Sequence, residues 1–517
     1  MRGIYLNTDS QALATSLRFF ADNNLVVQEQ YQGQQLTLVY NKSDWSTPPV
    51  LPLGEDQGGG KVFCSGWFIY NQKRNDLAGL MADYHEQGED VFNQISLGVF
   101  VLVIITAEQV KVICDAFGVS THYVRVDANT NTHNQGLIEV APSVKAFSQL
   151  PAINPLLAQT IEAQGHLFGN FTAYDGITRL DPGASVAIKD AKVSHHKYFA
   201  ANFNSPDKER LDDIPQVIEK LVDCWPEQLR TLPISGGLDS RLTLSGQRYQ
   251  YGYTYGPENS GDRPIARLFA DCFNHYEEFE FTTPPLMAQE KPMSDDFYFG
   301  VSTWLPRLMT IYHYSFERCN GSYVLFDGYL GDVLQRGNYI KFGGAKGSIL
   351  KMFPWLYKLA FSARFILRNR YKAICDEAFE LLMTDFHQRT DELAADTYQK
   401  VIYYEFIYGR GGRFAINGSN TTAGQMYAPV PFFLATPIFD MLISQNFADT
   451  VQYKQVGKIW RKVPKRFREV VADSGISPMT PYWLAPFKNM FTRFLLHYVP
   501  GFGNYGQGTA KKPESKG

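Results

Sequence analysis

Short apolar runs rich in β-branched and aromatic residues mark the first two hundred positions, and residues 36–40, 62–70, 99–106 and 110–116 read as strands. Two stretches with helical spacing, 12–23 and 76–87, lie among them. Many strands with few helices predict an α+β layered fold for this part. After a polar break at 202–207 the rhythm changes. An amphipathic helix is expected over 214–224 and a strand over 229–234. A second strand and turn follow at 251–256, and a helix opened by Asp262 is expected to run through residue 273. A further strand at 323–327 ends in a glycine loop, and helical text fills 371–406. Strand and helix in alternation predict an α/β parallel sheet with extra helices, its ligands at the carboxyl ends of the strands.

The first of those strand ends is the most informative stretch: Leu232-Pro233-Ile234-Ser235-Gly236-Gly237-Leu238-Asp239-Ser240. Two glycines allow a sharp turn and a close backbone approach to a ligand. Ser235 and Ser240 add hydroxyls, and a helix is expected to start near Asp239, so the stretch is suited to phosphate or pyrophosphate. The Asp239 carboxylate is a hard ligand able to hold Mg2+ against phosphate oxygens. A chance match to Ser-Gly-Gly-x-Asp-Ser in a chain this long is on the order of one in a thousand. No lysine follows the glycines, which separates the stretch from the Gly-Lys-Ser/Thr phosphate loop. A second acidic loop, Asp327-Gly328-Tyr329-Leu330-Gly331-Asp332, follows the strand at 323–327 and supplies another carboxylate.

Composition narrows the classes. At 517 residues the chain has room for two or more domains. A net charge of −3 gives no global case for nucleic-acid binding. The six cysteines are scattered without a Cys-x-x-Cys pair, so neither a metal cluster nor a disulfide framework is expected. The opening residues lack a leader's basic-plus-apolar pattern, and the dense apolar run at 99–105 has the length of a buried strand, so a cytoplasmic location is expected. Residues 341–372 carry eight Lys and Arg among aromatics with no acid between them, which allows peripheral contact with an anionic membrane surface. Residues 486–500 repeat that flavour weakly, and 506–517 read as a disordered tail.

The Ser-Gly-Gly-Leu-Asp-Ser loop resembles the pyrophosphate-loop signature of ATP pyrophosphatases, and the chain as a whole resembles the asparagine synthetase and β-lactam synthetase-like family. Pieces at 65–71, 97–100, 115–118, 141–146, 176–183 and 197–199 occur in the order found in class II glutamine amidotransferase domains. The resemblance implies an Ntn-hydrolase-like domain over 1–203, and an ATP-dependent synthetase domain over 208–505. It implies that Ser235, Gly236, Gly237, Leu238, Asp239, Ser240 and Gly328 contact the nucleotide, with Thr254, Tyr255 and Gly256 on the adenine side. Asp239 and Asp332 become the Mg2+ ligands, with ATP as the nucleotide. Lys458, in Lys458-Ile459-Trp460-Arg461, is the candidate catalytic lysine, with Lys462, Lys465 and Lys488 as alternatives.

Four departures shape the functional expectation. The glutaminase of that family uses a cysteine that becomes the N-terminus, and this chain has Arg2 there. Ser65 stands in place of the oxyanion-binding asparagine, and Tyr329 replaces a loop glutamate. The segment 474–481 lacks the family's phosphate-contacting lysine. A ligase is expected that adenylates a small-molecule, sugar-acid or peptide carboxylate, releases pyrophosphate and passes the acyl group to ammonia or an amine without hydrolysing glutamine. An ammonia-dependent asparagine synthetase and a non-catalytic scaffold are the alternatives.

Overall fold

The computed structural model describes residues 3–7, 24–31, 34–41, 50–54, 59–127, 137–147, 149–189, 192–244, 246–280, 298–303, 306–340, 353, 355, 361–472 and 475–498. The expected helix at 12–23, Arg2, most of 341–360 and the tail 506–517 lie outside the described residues.

The N-terminal half is built from strands β1 (Ile4–Asn7), β2 (Asn24–Tyr31), β3 (Gln34–Asn41), β4 (Leu51–Pro52), β5 (Lys61–Tyr70), β6 (Lys73–Arg74) and β7 (Leu97–Ile105). It continues with β8 (Val110–Cys114), β9 (Tyr123–Asp127), β10 (Leu137–Ala141), β11 (Ile177–Arg179), β12 (Ala184–Lys189) and β13 (Lys192–Lys197). They form two antiparallel sheets, ordered β11-β9-β10-β1-β3-β2 and β13-β12-β8-β7-β5-β4, with β6 paired to β5. Ile4, Leu6, Val124 and Val140 of the first sheet share a core with Phe63, Val101, Val103, Val112 and Val186 of the second. On β7, Leu102 and Ile104 point the other way, into the large core shared with the C-terminal half. The second sheet is therefore buried on both faces, which is why residues 97–105 are almost uninterruptedly apolar rather than alternating.

The C-terminal half holds a five-stranded sheet of β14 (Arg230–Pro233), β15 (Tyr249–Tyr255), β16 (Phe273–Phe279), β17 (Val324–Asp327) and β18 (Ala428–Pro431). Its order is β16-β15-β14-β17-β18 and every pairing is parallel. The chain winds outward from β14 in one direction and then returns to add β17 and β18 on the other side. The order reverses between β14 and β17, and in such sheets the crevice outside the strand ends at that reversal is where ligands bind.

One expectation is corrected here. The helix opened by Asp262 ends at Arg267, a short 3-10 turn follows, and Phe273–Phe279 is the edge strand β16. Residues 428–431, which include Pro429 and Pro431, form the opposite edge; prolines are tolerated at an edge because one row of N–H groups has no ladder partner there.

The halves meet through polar ties as well as the common core. Arg179, fully buried, donates from Nη1 to the carbonyl of Ile407 (3.1 Å) and from Nη2 to the carbonyls of Phe117 and Gly118 (3.1 Å each). Arg413, equally buried, donates to the carbonyls of Gly169 (2.9 Å) and Phe171 (2.7 Å). Arg413 belongs to a π-helical turn, Gly411–Asn420, where a Cβ on Gly412 would lie 1.8 Å from the carbonyl oxygen of Ile407. The polar break at 202–207 packs onto the helix Thr436–Ile443: the amide of Asn202 donates to Asp440 (3.1 Å) and that of Ser205 to Ser444 (2.9 Å).

Replacing Arg413 with leucine leaves two buried carbonyls without donors and is expected to cost about 2–4 kcal/mol, read as a lowered urea midpoint. A second test concerns Asp181, where burial opposes ionisation but Lys197, Arg389 and Asn170 hold the carboxyl down at about 2. A depressed folded pKa stabilises above the unfolded value and is lost as pH falls from about 4 towards 2. Arg389→Ala is expected to move the acid-unfolding midpoint upward, measured by near-ultraviolet circular dichroism.

Candidate active site

The two loops that the sequence singled out meet at the reversal between β14 and β17. After β14 the chain turns through Ser235, Gly236 and Gly237 into the helix Leu238–Leu244. After β17 it turns through Gly328 into the helix Gly331–Arg336. A Cβ on Gly328 would sit 2.9 Å from the backbone carbon of Asp239, and one on Gly331 would lie 2.8 Å from the carboxyl carbon of Asp239. Only glycine permits this approach. Leu330, at a φ of 65°, carries the chain between them in a left-handed conformation.

This contact places Asp332 close enough that its charge opposes ionisation of Asp239. Burial pushes the Asp239 carboxyl above the usual carboxylate range, Asp332 adds to the rise, and the Arg336 guanidinium opposes it. Arg336 donates to Oδ2 of Asp239 at 2.6 Å and Gln335 to Oδ1 at 2.9 Å. Asp332 accepts from Asn338. Arg336, Gln335 and Asn338 were missed by sequence reasoning; the signal was the Asp332-x-x-x-Arg336 spacing, which sets both on one face of a helix.

The loop donors are satisfied from within. The amide of Gly236 donates to Oδ1 of Asp262 at 2.7 Å, that of Gly237 to Oγ of Ser235 at 3.2 Å, and that of Ser235 to Oγ of Ser240 at 3.2 Å. Asp262 thus presents a carboxylate where the loop offers an N–H to an anion. Arg241, wholly buried, clamps the turn by donating to the carbonyls of Gly237 (2.9 Å) and Val470 (2.9 Å).

The other expected contacts fall as follows. The Thr254 hydroxyl is buried and donates to the carbonyl of Ile234 at 2.7 Å, fixing β15 to the end of β14. Tyr255 stacks on Phe279 at 6.2 Å, and the Gly256 carbonyl accepts from Arg263 at 2.7 Å. Lys458, on the helix Lys454–Ile459, is 39% exposed with its ammonium 3.7 Å from Glu209. Lys462 is ion-paired to Asp213 at 2.8 Å. The cation that the structure brings to Asp239 is Arg336, not a lysine. Tyr329 lies in a hydroxyl network with Ser419 and Tyr312, and burial raises its phenol, so it stays neutral. Asp327, at the end of β17, is raised to about 7 by burial, against the Tyr329 amide it accepts from at 3.0 Å. A carboxyl that changes charge near neutrality beside the loop contact is a site feature that no spacing reveals.

Among the described residues no cluster of three or more His, Cys, Asp or Glu is arranged to hold a metal ion. The Asp239 and Asp332 carboxylates fit Mg2+ as hard oxygen donors; phosphate oxygens and water complete such a site in enzymes that bind metal with nucleotide.

A separate cleft of about 490 Å3, mouth included, opens between the halves, lined by Gly3, Ser65, His122, Thr121, Asn420 and Gln425 among others. No cysteine lines it. Cys64 faces the core and its thiol is pushed far up by burial. His122 accepts the amide of Ile4 on Nε2 at 3.0 Å, and burial lowers it to about 4, so it is neutral.

No protein-family model and no curated protein sequence matches the chain. Among solved structures it is similar to the glutamine phosphoribosylpyrophosphate amidotransferase of B. subtilis complexed with ADP and GMP, at 9% identity and a TM-score of 0.24. That match covers 53% of this chain and 65% of the other, just under two thirds of its length. A second similar structure, described as the allosteric regulatory enzyme of purine biosynthesis, gives 8% identity and a TM-score of 0.25, covering 55% and 81%. Overlaps this slight carry no part of the functional reading.

Gly328→Ala is expected to destabilise the protein by about 1–3 kcal/mol, because the added methyl meets backbone rather than a flexible side chain. Gly321→Ala, where a Cβ meets nothing within 4 Å, is the control, although its φ of 85° adds strain of its own. The measurement is the difference in thermal midpoint between the two variants.

Proposed function

We infer that the protein is an ATP-dependent carbon–nitrogen ligase that forms an acyl-adenylate, releases pyrophosphate and transfers the acyl group to ammonia or an amine. The observation that carries this reading is the pairing of the loop 235–240 with the loop 327–332 across the reversal of a parallel sheet, glycine against backbone, with Asp239 and Asp332 facing one another. In this reading the N-terminal sandwich is a class II glutamine amidotransferase-like domain that has lost its glutaminase. None of the described cysteines lines the cleft beside Gly3 and Ser65, and a cysteine is the nucleophile that the glutaminase of such domains uses, which supports that loss.

Residues of the chain have distinct parts. The amides and hydroxyls of Ser235, Gly236, Gly237 and Ser240 bind phosphate oxygens once Asp262 releases the Gly236 N–H. Asp239 and Asp332 would hold Mg2+, which supplies charge neutralisation of the pyrophosphate. Arg336, already at the site, stabilises the negative charge that builds on the leaving group. That role falls to Arg336 because Lys458 is paired with Glu209. The acyl acceptor is ammonia or an amine, and the carboxylate is a sugar acid, a small acid or a peptide.

One observation favours the non-catalytic alternative: the loop's N–H and carboxylate groups are already paired within the protein, through Asp262 and Arg336. Exchange of radiolabelled pyrophosphate into ATP, measured with Mg2+ across a panel of carboxylates, separates the two. The ligase reading expects exchange with one class of acid, reduced at least about 100-fold in Asp239→Asn. Absence of exchange with every acid, together with no ATP binding by calorimetry, leaves the scaffold reading standing. Exchange or amide formation that requires glutamine overturns the assignment of the N-terminal half.

A further inference from the structure

The C-terminal helix Ala485–Tyr498 shows the body of the protein one face and solvent the other. Ala485 is buried, and Thr492, two turns on, packs where a Cβ on Gly475 would collide with it. Phe487, Met490, Phe491 and Phe494, at the three- and four-residue spacing of a single stripe, fall on the opposite face and are 45%, 46%, 60% and 54% exposed. Trp483, just before the helix, is 62% exposed. Isolated exposed apolar residues need no explanation, but a contiguous aromatic stripe of this size marks an interaction surface.

The charge around the stripe says which kind of partner fits. No Asp or Glu occurs anywhere from Gly475 to Pro513, whereas Lys488 and Arg493 occupy register positions on the two flanks of the stripe. The other basic-aromatic stretch differs. In its described part Arg364 is paired to Glu380, Arg368 to Asp376 and Arg370 to Glu405, so these three guanidiniums already have carboxylate partners in the protein. A second copy of the same helix would bring like charge against like charge, which disfavours self-association. At about 21 Å the helix is too short to span a bilayer, and no described helix is long and apolar enough to do so. An aromatic stripe flanked by cations suits a helix that lies in the plane of an anionic bilayer surface.

We propose that the face formed by Trp483, Phe487, Met490, Phe491 and Phe494 docks the protein on anionic lipid bilayers, with the helix axis parallel to the membrane. The aromatic rings enter the boundary between headgroup and acyl chain, and Lys488 meets lipid phosphates. The docking is independent of the nucleotide site and holds whatever the ligase reaction proves to be.

The test is flotation of the full-length protein with vesicles of phosphatidylcholine alone or of phosphatidylcholine and phosphatidylglycerol in equal parts. Flotation with the anionic vesicles only, weakened by raised salt, is the expected result. Phe487→Ser combined with Phe491→Ser is expected to weaken it at least about tenfold through loss of buried apolar area, and Lys488→Glu to weaken it less. Phe365→Ser, on the ion-paired helix Ala363–Arg370, is expected to bind as the unaltered protein does. A blue shift of tryptophan emission on adding anionic vesicles, lost in Trp483→Phe, gives a second readout. Failure to float, or unchanged flotation of the double variant, overturns the proposal. So does a dimer in sedimentation velocity that the double variant abolishes, because the face then belongs to a second copy.

Discussion

Everything at the candidate active site depends on one close approach, the backbone of Asp239 against Gly328. Two loops leaving adjacent parallel strands normally diverge, since the chain winds away from the reversal point in opposite directions. Here the missing side chains at Gly328 and Gly331 let the second loop press against the first, and the left-handed Leu330 turns it back into a helix. The consequence is electrostatic. Two acids from strand ends 93 residues apart in sequence are held in one buried place, and Arg336 enters to offset them. Burial and the Asp332 charge both raise the Asp239 carboxyl, and the Arg336 guanidinium is what opposes that rise.

The second constraint is the seal between the halves. Arg179 and Arg413 each send a buried guanidinium to backbone carbonyls across the junction; burial lowers both, and repulsion from Arg179 adds to the fall of Arg413 to about 10. Charged groups are kept there at a cost in desolvation, and the gain is register: a guanidinium fork satisfies carbonyls only in one orientation. That register sets the walls of the cleft between the halves, because Thr121 on one side donates to Asn417 of the π-helical turn on the other at 2.8 Å. The same turn carries Ser419, which meets the hydroxyl network around Tyr329, so the cleft and the loop contact are joined through one glycine-rich segment.

Much of this was legible in the chain. Strands at 62–70, 97–105, 110–114, 230–233, 249–255 and 324–327 follow from short β-branched and aromatic runs, and the helices at 77–87 and 214–223 from their spacing. The edges of the parallel sheet were not legible. β16 has mostly exposed and half-exposed positions and begins at Phe273, where the expected helix was to end, and β18 is interrupted by two prolines. Edge strands escape local rules because only part of their surface is buried and only one row of their hydrogen bonds is used.

At the site, glycines, acids and their order along the chain were fixed by local sequence, since the chemistry of close approach and of phosphate contact demands particular residue types in particular turns. The sequence places Asp239, Gly328 and Asp332 on two separate loops, and the fold brings those loops into contact. Which cation stands beside them could not. Lys458, chosen from its helix context, pairs with Glu209, while Arg336 lies on Asp239. The raised carboxyl of Asp327, the carboxylate of Asp262 on the Gly236 amide and the exposed stripe of the C-terminal helix are likewise products of packing. Residue types and turns are set by neighbours in sequence, whereas charge pairing, burial and exposure are set by neighbours in space, and only the folded chain decides those.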